Sequence, residues 1–217
     1  MEFKKLIQDL QIDILLTTAI WTEYSRKELL NHRCAPLQVN FLSAWTSGYG
    51  LNDYIIADPR GILPDEKHHY SEKIVYLPHS YQVNDRKRDI APILFTKEEL
   101  GLPKESFVFC CFNNNYKITP DIFDTWCRIL KAVKNCVLWL LEDNPMAAAN
   151  LRKEAQLRGV EPNRLVFAKR MNLPEHLARH KAADLFLDTL YYNAHTTASD
   201  ALWVGLPVLT CLGEGFA

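Results

Sequence analysis

Polar side chains able to hold an anion gather at one turn of this sequence. Between an apolar run at 185–190 and a helically spaced segment at 196–205 lie Asn193, His195, Thr196 and Thr197. The first backbone N–H groups of a helix lack intrahelical partners and carry partial positive charge. An anion set above them therefore meets donors and a favourable dipole together. His195 adds a further donor. Asp200 shares the helix face of Thr196 and Thr197, where its carboxylate suits a sugar hydroxyl. The same residues also suit a plain helix start, with Thr196 as the cap and Asp200 solvated.

Two other clusters carry comparable chemistry. The apolar run 107–112 is followed by Asn113, Asn114, Asn115, Tyr116 and Lys117, then by Thr119 and Pro120 opening a helix. Lys117 would neutralise a diphosphate and Asn114 would hydrogen-bond it; alternatively the lysine is an exposed loop residue and the asparagines form a turn. His176 and Arg179 fall on one helix face, with His180 next to Arg179. An imidazole and a planar guanidinium can hold a nucleobase and ribose, and they equally suit the surface of an amphipathic helix.

The elements that must position these groups alternate along the chain. Helices are expected at 3–10 and 25–31, and strands at 12–16, 37–42, 53–57 and 73–77. The pattern lapses around 78–105, where Pro78, Pro92 and Pro103 flank a mixed-charge segment, Asp85 to Asp89, read as a solvated loop. A short helical piece is expected there at 97–100. Residues 1–80 thus form a first lobe, 81–105 a linker and 106–217 a second lobe. In the second lobe, strands at 107–112, 137–141, 165–168 and 185–190, with one more after Gly205, alternate with helices at 120–133, 145–158, 174–183 and 196–205. This alternation implies an α/β fold with a doubly wound, Rossmann-like parallel sheet, which binds ligands beyond the carboxyl ends of its strands. That rule brings Lys117, the His176 and Arg179 pair, and the turn at His195 to one rim. A GxGxxG dinucleotide fingerprint is absent.

Composition narrows the partners. The sequence has 217 residues, 25 basic and 26 acidic, so it has no basic field for nucleic acid or an anionic membrane. The cysteines, including Cys110, Cys111, Cys127, Cys136 and Cys211, show no metal-ligand spacing and read as buried free thiols. The first residues lack the features of a signal peptide, and no apolar run reaches membrane-spanning length. A reducing, cytoplasmic setting is expected.

The segments FNNNYKITP at 112–120, PEHLARHKAADLFLDT at 174–189 and NAHTTASDALWVGLPVLT at 193–210, in this order, resemble the catalytic region of the O-linked N-acetylglucosamine transferase and SPINDLY family. APLQVNFL, DYIIADP and YSEKIVYLPHSYQVND resemble bacterial members of the same family. The resemblance implies a GT-B-like architecture, a partial first lobe and a nucleotide-sugar-binding second lobe. It also implies inverting transfer of a sugar from a nucleotide sugar to a Ser or Thr of a polypeptide. The donor would be UDP-N-acetylglucosamine, with GDP-fucose admitted by the SPINDLY relatives; no cofactor and no metal are implied. By matching position, Lys117 and Asn114 resemble diphosphate contacts and Thr196 and Thr197 helix-start donors to the same group. His176 and Arg179 resemble residues near the uridine, Asp200 a ribose contact, and His195 a residue at the sugar-diphosphate linkage. Lys117 and His195 are thus the candidates for catalysis.

The sequence also departs from the family pattern. A glycine- and proline-containing turn is replaced by Ser43, Ala44, Trp45, Thr46, Ser47 and Gly48, and TTAIWT at 17–22 lacks an expected glycine. The resemblance puts both turns on the acceptor side, where larger side chains narrow the space for a ligand. Glu214 is followed by Gly215 where relatives have Thr. The chain begins and ends inside the family's catalytic region, leaving a second reading: a non-catalytic nucleotide-sugar-binding module.

Overall fold

The computed structural model describes residues 2–18, 20, 27–43, 45–48 and 50–213. The chain divides between Val83 and Asn84 into two units, each built on its own parallel sheet.

The first unit comprises α1 (Glu2–Asp9), β1 (Ile14–Thr18), a 3-10 segment (Lys27–His32), β2 (Leu37–Phe41), β3 (Tyr54–Ala57) and β4 (Lys73–Tyr76). Its four strands lie side by side in chain order. The helix expected at 25–31 is this 3-10 segment from Lys27 onward; residues 25 and 26 lie outside the described ones. Apolar packing is thin, with one small cluster around Ile55, Ala57 and Ile62 and another around Ile7, Cys34 and Ala35. Polar clamps supplement it. The fully buried Gln38 accepts from the Cys34 amide at 2.8 Å and donates to the Leu30 and Leu51 carbonyls at 3.2 and 2.6 Å. Buried Glu72 accepts from the Ser47 amide at 2.6 Å and the Ser71 hydroxyl at 3.0 Å. Burial opposes ionisation of Glu72, and the Ser47 and Thr46 donors overcome it and hold the carboxyl below its usual range. In the departing turn, therefore, Ser43 and Ser47 are buried within this unit and Trp45 is exposed. Ala44 and much of the 17–22 segment lie outside the described residues, as does the 214–217 terminus.

The second unit opens with a stretch that is not helical. Residues 97–100 make a single turn, because Thr96 and Glu99 cap each other at its start while the Leu102 amide already reaches the Lys97 carbonyl at 2.8 Å. Gly101, at φ +73°, supplies the left-handed residue this closure requires, so start and stop signals leave no room for a helix. Then come β5 (Phe107–Cys111), α2 (Pro120–Ala132), β6 (Cys136–Leu141), α3 (Pro145–Leu157), β7 (Leu165–Ala168), α4 (Leu173–Arg179) with a 3-10 turn to Ala182, β8 (Leu185–Leu187), α5 (Thr196–Trp203) and β9 (Val208–Leu209). Pro120 and Pro145 sit in first turns, where the missing N–H costs nothing, and Gly159 at φ +74° follows α3.

All strand pairs are parallel, in the order β7-β6-β5-β8-β9. β6 is buried at every residue, as a strand covered on both faces must be. Ile122, Phe123, Trp126, Cys127 and Leu130 form the apolar stripe that seats α2 on the sheet, and Val108, Leu138, Trp139 and Phe186 fill the centre. Burial holds Cys110 and Cys111 as thiols, the latter with its pKa pushed up to about 12. Cys211 departs from the expectation of buried cysteines, since β9 has ended before it and leaves it exposed.

Leu138 is wholly enclosed on β6, so Leu138→Ala leaves a cavity. We expect unfolding free energy to fall by about 3 kcal/mol, read from denaturant titration of tryptophan fluorescence.

Candidate functional site

The strand order reverses direction at β5: the chain runs outward through β6 and β7, then crosses to β8 and β9 on the other side. The carboxyl ends of β5 and β8 diverge there into two loops, the usual crevice of such sheets. Asn113 leaves β5 and Asp188 leaves β8, and both are buried.

Asp188 organises the crevice. One carboxylate oxygen accepts from the Thr189 and Ala194 amides, each at 2.7 Å, and from Asn113 Nδ2 at 3.2 Å. The other accepts from Thr210 Oγ1 at 2.7 Å and Asn193 Nδ2 at 3.2 Å. Asn113 Nδ2 also donates to Thr189 Oγ1 at 2.8 Å, and the Thr197 hydroxyl donates to Asn113 Oδ1. The β5 loop, the β8 loop, the end of β9 and the first turn of α5 are thus tied together through two side chains. The β8 loop also takes Tyr191 through the left-handed region at φ +69°, a costly conformation for a residue with a side chain.

Above this floor lie the expected anion-binding groups. Lys117 Nζ donates to the Asn193 carbonyl at 2.9 Å and stands 3.8 Å from the Tyr192 ring centroid. It makes no salt bridge to a described acidic residue. Burial lowers its pKa, and the charge of Asp188 opposes that shift. His195 is the N-cap of α5; burial and then the charge of Lys117 lower its pKa, leaving a neutral imidazole favoured beside the lysine. The first helical bond of α5 runs from the Ser199 amide to the His195 carbonyl at 3.1 Å, so the Thr196, Thr197 and Ala198 amides precede the ladder. Thr196 is therefore the first helical residue and not the cap. Its side chain is exposed, whereas that of Thr197 is spent on Asn113. Asn114 is exposed on the rim, and its carbonyl accepts from the Lys117 amide at 3.0 Å.

The remaining candidates are not surface groups. Arg179 is 1% exposed and His180 0% exposed, so the end of α4 and the 3-10 turn after it are both internal. Arg179 Nη1 donates to the Lys169 carbonyl and Nη2 to His176 Nδ1, each at 2.6 Å, and the guanidinium lies over Phe112, 4.6 Å from its ring centroid. Burial pulls the Arg179 pKa down to about 10, which still leaves it charged at neutral pH. Asp200 is not solvated: it is 5% exposed and forms an ion pair through Oδ1 with Arg88, which lies 5.2 Å from the Trp203 ring. Arg88 in turn is not part of a solvated charge run, since a buried carboxylate on α5 demands a counter-charge. Burial raises the Asp200 pKa and Arg88 opposes the rise. Among the described residues, no group of three or more His, Cys, Asp or Glu is placed to hold a metal ion, and no helix is long and apolar enough to cross a membrane.

Residue spacing does not single out Asp188, Asn113 or Arg88. The signal for Asp188 is a charged residue at the end of an apolar strand, which has to be fully hydrogen-bonded to exist there.

Removing that hub leaves buried donors unpaired. Asp188→Ala should cost about 3 kcal/mol or more of stability, since several buried partners lose their acceptor at once. A change in the urea midpoint equivalent to less than about 1 kcal/mol would show that the loops are held otherwise. A second expectation concerns acid. Burial lowers the pKa of His176 to about 3 and that of His180 to about 4, so the unfolded chain takes up their protons first as pH falls. Their contribution is therefore whole above about pH 6.5 and declines from there toward pH 4 and below. Urea midpoints at pH 7 and pH 5 should differ in that direction, and His180→Gln should reduce the difference.

The Glycosyl transferase family 41 model matches residues 3–94 and 86–217. A probable UDP-N-acetylglucosamine–peptide N-acetylglucosaminyltransferase, SEC, of Arabidopsis thaliana is 38% identical over 212 residues, which are 95% of this chain and 22% of that protein. A probable enzyme of the same description, SPINDLY, of Oryza sativa subsp. japonica is 30% identical, over 96% of this chain and 23% of its own length. The chain thus spans less than a quarter of these relatives. A mutant form of the Thermobaculum terrenum O-GlcNAc transferase superposes with a TM-score of 0.84 at 30% identity, covering 100% of this chain and 41% of that one. The apo lipopolysaccharide outer core galactosyltransferase WaaB shares the fold alone, with a TM-score of 0.57 at 13% identity over 95% of this chain and 58% of its own. The fold is accordingly the α/β, GT-B-like arrangement of these transferases, and the chain belongs to glycosyl transferase family 41.

Proposed function

We propose that the second unit binds a nucleotide sugar with its diphosphate over the start of α5, as the donor half of an inverting transferase that moves a sugar to Ser or Thr of a polypeptide. The observation that carries this reading is Lys117: its ammonium is held on the Asn193 carbonyl, two residues before the His195 cap of α5, and forms no salt bridge with a described acidic residue. A diphosphate over the start of α5 would meet this cation together with the amides of Thr196, Thr197 and Ala198, which precede the helical ladder. Negative charge builds on the leaving diphosphate as the sugar bond breaks, and fixed donors aimed there stabilise it without reorganising. His195 stands at the sugar-diphosphate linkage in this reading, with Asn114 on the rim beside it. His176 and Arg179 belong to the nucleoside end. The relatives' names support UDP-N-acetylglucosamine as donor and a peptide as acceptor; GDP-fucose is the alternative donor. A cytoplasmic setting accords with the free cysteines.

The Arg88–Asp200 ion pair favours a second reading, a module that binds a nucleotide sugar without turning it over, because the candidate ribose contact is already engaged.

Calorimetric titration with UDP tests the binding site, which should saturate at or below millimolar ligand. Lys117→Ala should weaken UDP binding at least tenfold and leave uridine binding unchanged; equal loss of both would assign the lysine another role. Release of sugar from UDP-N-acetylglucosamine that is lost in His195→Ala supports a working centre. UDP binding with no turnover supports the module.

A further inference from the structure

The buried guanidinium of Arg179 presents a puzzle that the nucleotide reading leaves open. A charged side chain at 1% exposure ordinarily has a carboxylate beside it, and this one has only a carbonyl and an imidazole nitrogen. Its planar fork divides between them: Nη1 bonds the Lys169 carbonyl after β7, and Nη2 bonds His176 Nδ1. A guanidinium can only donate, so His176 Nδ1 must accept and carries no proton. The one proton of the neutral ring is then on Nε2. His180 reinforces the arrangement from the next turn, since its Nδ1 donates to the His176 carbonyl at 2.6 Å. Phe112 completes the seat, with ring centroids 5.2 Å from His176 and 5.0 Å from His180.

We propose that Arg179 is a positioning residue that fixes His176 as its Nε2–H tautomer, so that His176 offers a single uncharged donor to an acceptor oxygen of the bound nucleoside. This rests on the nucleotide reading for the identity of the ligand, but the tautomer does not. His176 is half-buried, and Nε2 makes no hydrogen bond to a described residue, so the donor is uncommitted. The groups bearing on the ring are His180, Arg179 and Arg170, all basic. With burial, they keep the ring neutral, its pKa near 3, throughout the range in which proteins work. A donor of this kind suits a carbonyl or hydroxyl oxygen. The charge of a phosphate is left to Lys117.

Nitrogen-15 NMR of the histidine rings in the ligand-free chain tests the assignment. His176 should show an unprotonated Nδ1 and a protonated Nε2, unchanged from pH 8 to pH 5. A proton on Nδ1, a mixture of tautomers, or an imidazolium by pH 5 would overturn it. Arg179→Lys keeps the charge but loses the fork; it should yield a tautomer mixture and about a tenfold loss of uridine affinity, with inorganic pyrophosphate binding unchanged. A variant that keeps the pure Nε2–H form, or loses pyrophosphate binding equally, counts against the proposal; should the variant not fold, the wild-type spectrum decides. A locked tautomer in a chain that binds no uridine would overturn the nucleotide reading and the ligand half of the inference together. A tautomer mixture in a chain that does bind uridine would overturn the inference alone.

Discussion

Everything at the crevice depends on one buried carboxylate. Asp188 sits where β8 ends, and its two oxygens collect donors from its own loop, from the β5 loop and from the end of β9. A carboxylate is an acceptor only, so five donors converging on it fix the loops without ambiguity of direction. The Asn193 peptide is held in this way, and its carbonyl is what Lys117 grips. The negative charge of Asp188 is therefore saturated by hydrogen bonds, and the Lys117 ammonium forms no salt bridge with a described acidic residue. Preorganisation of this kind is what lets donors act on an anion at low reorganisation cost.

The fold also separates charge along the rim. At the α5 end a lysine and helix amides make an electropositive point. At the α4 end a buried arginine supplies charge, yet that charge is covered by Phe112 and directed into a carbonyl and a ring nitrogen. The polar group that α4 leaves uncommitted is a neutral imidazole, His176. The two ends therefore differ in kind, one suited to phosphate and the other to an uncharged polar heterocycle or sugar.

Much of the second unit was legible in the sequence, because a parallel sheet covered on both faces requires apolar runs of strand length. β5 to β8 begin within a residue of where those runs predict, and Pro120, Pro145 and Gly159 mark helix ends by their backbone limits. The rim residues were legible as a set for the same reason: strand ends determine which loops meet. Their individual roles were less so. Thr196 suited either a helix-start donor to an anion or the cap itself; it is the first helical residue, since His195 takes the cap position. Arg179 read as a surface or ligand-facing group and is internal, because three-residue spacing on α4 identifies a face without saying which way it turns. Arg88 lay in a charge run that local composition marks as solvated; its partner, Asp200, is 112 residues away, and no local pattern carries that information.

The Arg88–Asp200 pair adds a constraint to the site. A carboxylate at 5% exposure cannot shed its counter-charge without another partner, so a ligand hydroxyl that approaches Asp200 must either share the carboxylate with Arg88 or displace it. Sharing is the less costly course, because Arg88 contacts Oδ1 and leaves Oδ2 with acceptor capacity. The arginine would then set the orientation of the carboxylate in the way that Arg179 sets the His176 ring. Both ends of the rim thus follow one design, in which an arginine beside an aromatic ring leaves its partner one defined polar atom to offer.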